Sequence, residues 1–228
     1  ASVPLGPALE GIGPQCGRMA GPGSITRFEV SPLGLACHSV DGPLAAGADV
    51  QGISATGYLS LLALLLRLGC LDADGHFRTP ASPLARRVAP PPQQARTGLR
   101  LPLPYGQWLA AADVEELLKV KAAFSQALEA LLRAAGLAAA DVACLALAGA
   151  LGEHCPPACL EELGFLPSGM GRRVRAVGNS SLDGAALLAA EPWRLPALAR
   201  WCAAATLVPV AEDPGFHADY LRHMRFGV

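Results

Sequence analysis

The 228-residue sequence predicts an α/β domain in which helices flank a mixed sheet. Three observations carry this expectation. Residues 24–54 alternate short β-prone runs with Ser-Pro, Asp-Gly and Gly-Pro punctuation, the pattern of a strand meander. From residue 113 onward the order reads helix, strand, helix, strand, helix, helix, strand, helix, which is the alternation of a layered α/β fold. The chain is also 52% hydrophobic and only 16% charged, and is long enough to bury a sizeable core in one domain.

Taken in order, "SITRFEV", "LGLACHSV" and "VQGIS" are expected as three meandering strands, with "DGPLAAGAD" as the turn before the last. Near Gly57 the period switches, and Leu59, Leu62, Leu65 and Leu66 describe a helix that is apolar nearly all round and is closed by Gly69. Asp72, Asp74 and Gly75 have the outward look of a calcium loop. The twelfth position is Pro83 rather than Glu, so the stretch reads as a turn. Residues 78–107 are rich in Pro and are expected as an exposed loop or ribbon insertion that cannot join a regular ladder. "DVEELLKVKAAFSQALEALLRAAG" is the clearest helix. Asp113 is its expected N-cap, Glu116 completes a capping box, and Val114, Leu117, Leu118, Phe124, Leu128, Leu131 and Leu132 form one stripe ending at Gly136. A strand over residues 142–148 then runs into a Gly-x-x-Gly turn. "PPACLEELG" is a helix opened by proline, "RVRAV" a strand, "GNSSLDGAALLAA" a turn entering a helix, and "WRLPALARWCAAA" a further helix. "TLVPV" is expected as a strand and "DPGFHADYLRHMRF" as a last helix.

Composition removes several classes of function. A formal net charge of -1 and basic residues in short groups such as Arg172, Arg173 and Arg175 do not make the electrostatic footprint of a nucleic-acid binder. The most apolar window, residues 57–70, is shorter than the ~20 residues that span a bilayer, so it reads as a core helix and no membrane is expected. The opening "ASVPLGPALEG" lacks the basic and apolar regions of a signal peptide. The seven cysteines are odd in number and scattered through apolar runs, which fits a reduced, cytoplasmic setting better than a disulfide framework.

Three places could carry chemistry. In "LAGALG", residues 147–152, Gly149 and Gly152 either let the chain exit tightly and pack closely or let the backbone approach a ligand. Neither a Gly-x-x-x-x-Gly-Lys phosphate loop nor a Gly-x-Gly-x-x-Gly fingerprint accompanies them. In "VGNSSLDGA", Gly178, Asn179 and Ser180 put free N–H groups and hydroxyls at a strand's carboxyl end, where α/β folds bind ligands, although Asn179 or Ser180 would equally serve as a helix cap. His154, Cys155 and Cys159 could ligate zinc, but no second Cys/His pair follows at suitable spacing, so no metal site is assigned. Glu10, Glu153 and Asp183 are carboxylates for which the sequence supplies no catalytic partner.

Read together, these pieces resemble one family. "GPALEGIGPQCGRMAGPGSI" resembles the GPAFEG-x-x-x-x-x-G-M-R-A-x-x-G-A-I segment of the reductive activators of corrinoid proteins. "GISATGYLSLLALLLRLGC" resembles their GICGSG helix entry, "LAGALG" their LAGGFG, and "GFLP" with "VGNSSLDGA" their GLLP and VGNAALxGA. The end "PGFHADYLRHMRF" is also similar. The resemblance implies the carboxyl-terminal lobe of an ATPase of the acetate kinase, sugar kinase, Hsp70 and actin class, spanning residues 1–228. It implies an RNase H-like fold with a mixed five-stranded sheet. In such proteins ATP, with Mg, drives an electron onto a corrinoid protein, rescuing Co(II) to Co(I), and a ferredoxin-type domain with a [2Fe–2S] cluster precedes the ATPase. The phosphate-gripping D-x-G-T-N-G-E motif and the cluster cysteines are not in this sequence, so the cluster is expected only upstream. The nucleotide-binding residues implied here are Gly149, Ala150, Gly152, Gly178, Asn179 and Ser180. Ala150 and Leu151 replace Gly and Phe of the family loop, and the Ala150 methyl is expected to crowd a nucleotide. The implied partners are the corrinoid protein of a methyltransferase system and the amino-terminal half of the same ATPase. A non-catalytic interaction or homodimerisation module is the alternative, and an independent small-molecule enzyme ranks below both.

Overall fold

The computed structural model describes residues 6–96 and 98–227, with the side chain of Ala150 outside the described part. Residues 1–5, where a leader was sought, and residues 97 and 228 also lie outside the described residues. One turn of 3-10 helix at Pro7–Glu10 precedes β1 (Ser24–Ile25), β2 (Arg27–Ser31), β3 (Gly34–Ser39), β4 (Gly42–Pro43) and β5 (Gly52–Ile53). Next come α1 (Ala55–Arg67), α2 (Pro83–Val88), β6 (Gln93–Ala95), β7 (Gly98–Pro102) and β8 (Trp108–Ala110). The chain continues through α3 (Ala111–Ala135), β9 (Leu145–Leu147), α4 (Gly149–His154), α5 (Pro157–Glu162) and β10 (Val174–Ala176). It ends with α6 (Ser180–Ala190), α7 (Leu195–Ala204) and α8 (Phe216–His223).

The α/β class holds, but in place of the expected five-stranded sheet the described strands form four small ones. β2, β3 and β4 make an antiparallel meander, with Phe28 opposite Cys37. β5 is not the meander's last strand. It leaves and pairs in parallel with β1, so Gly42–Pro43 takes the third place. β6, β7 and β8 form an antiparallel ribbon, and β9 and β10 a parallel pair. Strands of two to six residues cannot carry a wide ladder. The "TLVPV" segment is not a strand. Its Pro209 lacks a donor, and a 3-10 turn at Val210–Glu212 follows.

The centre of the core is α1. Leu59, Leu61, Leu62 and Leu65 are fully buried, each side chain contributing about 1.5–3 kcal/mol over its exposed state. Ser54 caps this helix, its Oγ accepting the Gly57 N–H at 3.2 Å. Gly57 is required for the helix to meet β1, because a Cβ there would stand 2.4 Å from the Ile25 carbonyl oxygen. Ser60 Oγ accepts the buried Phe28 N–H at 3.0 Å and fixes β2 over the helix.

The long α3 begins one turn earlier than its expected cap. Asp113 stands inside it, and its carboxylate accepts the Ala110 N–H at 3.0 Å and the Gln15 N–H at 2.9 Å. Glu116 pairs with Lys119 instead of closing a capping box. The apolar stripe is buried at Val114, Leu117 and Leu118, whereas Leu131 remains 42% exposed. Lys121, fully buried, donates from Nζ to the carbonyls of His223 (3.1 Å) and Arg225 (2.7 Å), tying α3 to the end of α8. The prolines of residues 78–107 are framed by structure: Ser82 caps α2, and Ala85 and Val88 are buried, because the helix lays an apolar side against β3.

Candidate functional site

The loops that leave β9 and β10 lie side by side because those strands are parallel and in register, Leu145 opposite Val174 and Leu147 opposite Ala176. The pairing continues past the strands. The Val177 N–H donates to the Leu147 carbonyl at 3.0 Å, and the Gly149 N–H to the Gly178 carbonyl at 2.8 Å. Two of the glycines singled out in the sequence are thus bonded to each other at the carboxyl end of a parallel sheet. In open α/β sheets, ligands bind outside the carboxyl ends of the strands.

The six residues at these loops divide by role. Gly149 (φ 83°) and Gly178 (φ 63°) occupy the left-handed region, and a Cβ at either would meet no atom within 4 Å. Both therefore border free space. Gly152 is buried, and a Cβ there would stand 2.6 Å from the Leu147 Cβ, so it serves close packing of α4 on β9. Asn179 caps α6, its Oδ1 accepting the Leu182 N–H at 3.1 Å, and Ser180, exposed, opens that helix. Residues 149–154 are a short helix and not the open turn expected from Gly-x-x-Gly, since Gly149 turns the chain directly into it. The crowding expected of the Ala150 methyl concerns a side chain outside the described residues.

A second feature adjoins α4. A cleft of about 880 Å³ is walled by Glu10, by the start of α1 at Ser54 and Thr56, by Arg27 and His38 of the meander, and by Glu153 and His154. It joins Glu10 and Glu153, for which the sequence supplied no partners, whereas Asp183 sits apart in the first turn of α6. Within the meander, Glu29 accepts from Arg27 at 3.1 Å and from His38 Nε2 at 3.0 Å. Arg27 and His38 stand on strands without a motif, so nothing local in the chain marks their place in the cleft.

Metal-ligand chemistry does not converge on residues 154–159. Burial pushes the Cys155 thiol up to about 12 and raises Cys159 as well, which disfavours the thiolates a metal would need. Among the described residues, potential ligands gather only at Asp72, Asp74 and His76, where Arg78 (2.7 Å) and Arg225 (2.7 Å) already engage the two carboxylates. The remaining concentration of charge is a network on α3 and α8. Glu129 accepts from His223 Nε2 at 2.8 Å and from Arg222 at 2.9 Å, and Arg133 reaches Asp219 at 3.1 Å. Burial lowers the His223 pKa despite its bond to Glu129. Among the described residues no helix is long and apolar enough to cross a membrane.

Residues 1–227 match the family described as the C-terminal domain of RACo, the ASKHA domain. The chain is 27% identical over 236 residues to the corrinoid activation enzyme RamQ of Eubacterium limosum, a match that takes in all of this chain and 39% of that protein. The solved structure of a reductive activator for corrinoid, iron-sulfur protein superposes on 97% of the chain and 35% of its own length, with a TM-score of 0.82 at 24% identity, a likeness of fold. The chain spans well under half the length of these relatives, and with a family match along nearly its whole length it belongs to the RACo C-terminal, ASKHA-domain family.

Proposed function

We infer that this chain supplies the adenosine-facing side of the nucleotide cleft in an ATP-dependent reductive activator of corrinoid proteins. The observation that carries the reading is the Gly149–Gly178 apposition: two left-handed glycines, bonded at 2.8 Å, border open space at the carboxyl ends of parallel strands. A flat nucleoside needs this closeness of backbone, which any Cβ at either position would reduce. Asn179 and Ser180 would offer polar groups beside it, and Gly152 would hold α4 in place. The fit is to the nucleoside half of ATP. The phosphates, with Mg, would be gripped by the amino-terminal half of the ATPase, which together with this lobe forms the RNase H-like pair.

In the longer protein the reaction is the transfer of one electron to a corrinoid, Co(II) to Co(I), with ATP hydrolysis supplying the drive. The electron would come from a [2Fe–2S] cluster outside these residues. The cysteines here suit that division, since burial raises the thiol pKa of Cys16, Cys37, Cys70, Cys155 and Cys159. Seven free thiols also suit a reducing cytoplasm. The test is nucleotide titration of the chain and of the longer polypeptide, each against Gly178→Val. We expect ATP affinity in the longer protein to fall at least about tenfold in the variant, with no hydrolysis by residues 1–228 alone. Unchanged affinity would overturn the reading.

A second reading, an interaction or homodimerisation module, draws on one observation: Trp193 (71%) and Trp201 (81%) stand exposed on the carboxyl-terminal side. A tight dimer indifferent to ATP, seen by light scattering, would favour it.

A further inference from the structure

Residues 77–112 hold five arginines, Arg78, Arg86, Arg87, Arg96 and Arg100, and no Asp or Glu, in a chain of 18 basic and 19 acidic residues. Two of the five are engaged locally: Arg78 pairs with Asp72 at 2.7 Å, and Arg100 lies over the Trp108 ring at 4.6 Å. Arg86, Arg87 and Arg96 are exposed, and among the described residues no carboxylate pairs with them. We propose that this positive face, centred on α2, docks an acidic surface of the corrinoid protein. The choice of partner rests on the functional reading above.

Local structure prepares the face for that contact. α2 buries Ala85 and Val88, which leaves Leu84, Arg86 and Arg87 on its outer side. Arg86 Nε donates to the Pro80 carbonyl at 3.1 Å, and Arg87 Nη1 to the Pro32 carbonyl at 3.0 Å. Each guanidinium is thus held in place while its other donors remain available to carboxylates. A fork already fixed loses less side-chain freedom on binding. The bond to Pro32 also sets Arg87 beside the β2–β3 turn, where Leu33 is 95% exposed. Gly34 permits this approach, since a Cβ there would stand 3.1 Å from the Arg87 carbonyl oxygen. Guanidinium groups beside a projecting leucine suit a protein contact, an apolar anchor rimmed by charge. A nucleic acid would make little use of Leu33, and a fluid lipid headgroup layer little use of forks fixed in place. An activator must also meet and release its partner repeatedly, and small, electrostatically steered contacts suit such brief encounters.

The test is stopped-flow association of the longer natural polypeptide with its corrinoid protein, with and without the double change Arg86→Glu and Arg87→Glu. At about 0.01 M salt, where the screening length is ~30 Å, the variant should associate at least about tenfold more slowly. At about 1 M salt, with a screening length of ~3 Å, the two rates should converge. Convergence separates lost charge from misfolding, which added salt would not repair. Leu33→Ser should leave the association rate unchanged and speed dissociation about fivefold. Equal rates at low salt would overturn the proposal, as would a slowing that persists at high salt. Loss of binding to vesicles of phosphatidylserine and phosphatidylcholine in equal parts, with association to the corrinoid protein unchanged, would overturn it in favour of a membrane. The double variant should keep its ATP affinity, so the docking face fails separately from the nucleotide site. If the unaltered polypeptide does not associate with the corrinoid protein at all, the functional reading and the docking face fail together.

Discussion

The helix α1 and the helix pair α6–α7 have similarly apolar sequences and opposite fates. "YLSLLALL" of α1 is buried throughout, whereas "SLDGAALLAA" and "LPALARWCAA" bury nothing. Local propensity is satisfied in both, so the difference lies in what surrounds them. The first region draws its stability from contacts within the chain. The second has the composition of a core helix and the exposure of a surface one.

The contrast can be broken or sharpened by mutation. The largest effect belongs to the enclosed helix: Leu62→Ala should cost about 2–5 kcal/mol in denaturant unfolding, since its side chain is fully buried. Next is Lys121. Burial, with Arg222 nearby, lowers its pKa from 10.5 to about 8. Between those values the unfolded chain binds the proton and the folded one does not, so stability should rise with pH across that window. The rise should amount to about 3 kcal/mol and be absent in Lys121→Met. Gly57→Ala should cost about 1–3 kcal/mol, because its Cβ would strike the Ile25 carbonyl and α1 would have to shift. Gly149→Ala should cost only about 1–2 kcal/mol, the strain of its left-handed backbone, because space beside it is open. Last, Leu198→Ala in α7 should stay within about 0.5 kcal/mol in the 228-residue chain. A large loss there would show that α7 is already packed and would remove the contrast.

Much of this organisation was legible in the sequence. The period switch near Gly57 and the stop at Gly69 marked α1, and Gly136 and Gly164 closed α3 and α5 as their spacing indicated. The loops after β9 and β10 were legible as a candidate site through their glycines, and the structure brings Gly149 and Gly178 together. What remained hidden depends on partners distant in the chain. Asp113 looks like a cap until Gln15 and Ala110 each donate an N–H to one oxygen of its carboxylate. Lys121 reads as a surface residue until α8 folds two carbonyls over it. The pairing of β5 with β1 follows from packing that no local period encodes. Gly152, indistinguishable from Gly149 in the motif, differs only because Leu147 lies against it.

Photo-crosslinking with an azido-adenine ATP analogue, followed by peptide mapping in the longer polypeptide, tests the central claim most directly. The account predicts ATP-protectable label on peptides containing residues 147–149 and 177–180. Label confined to the cleft walled by Glu10, Thr56 and His154, with none on those two loops, would contradict it.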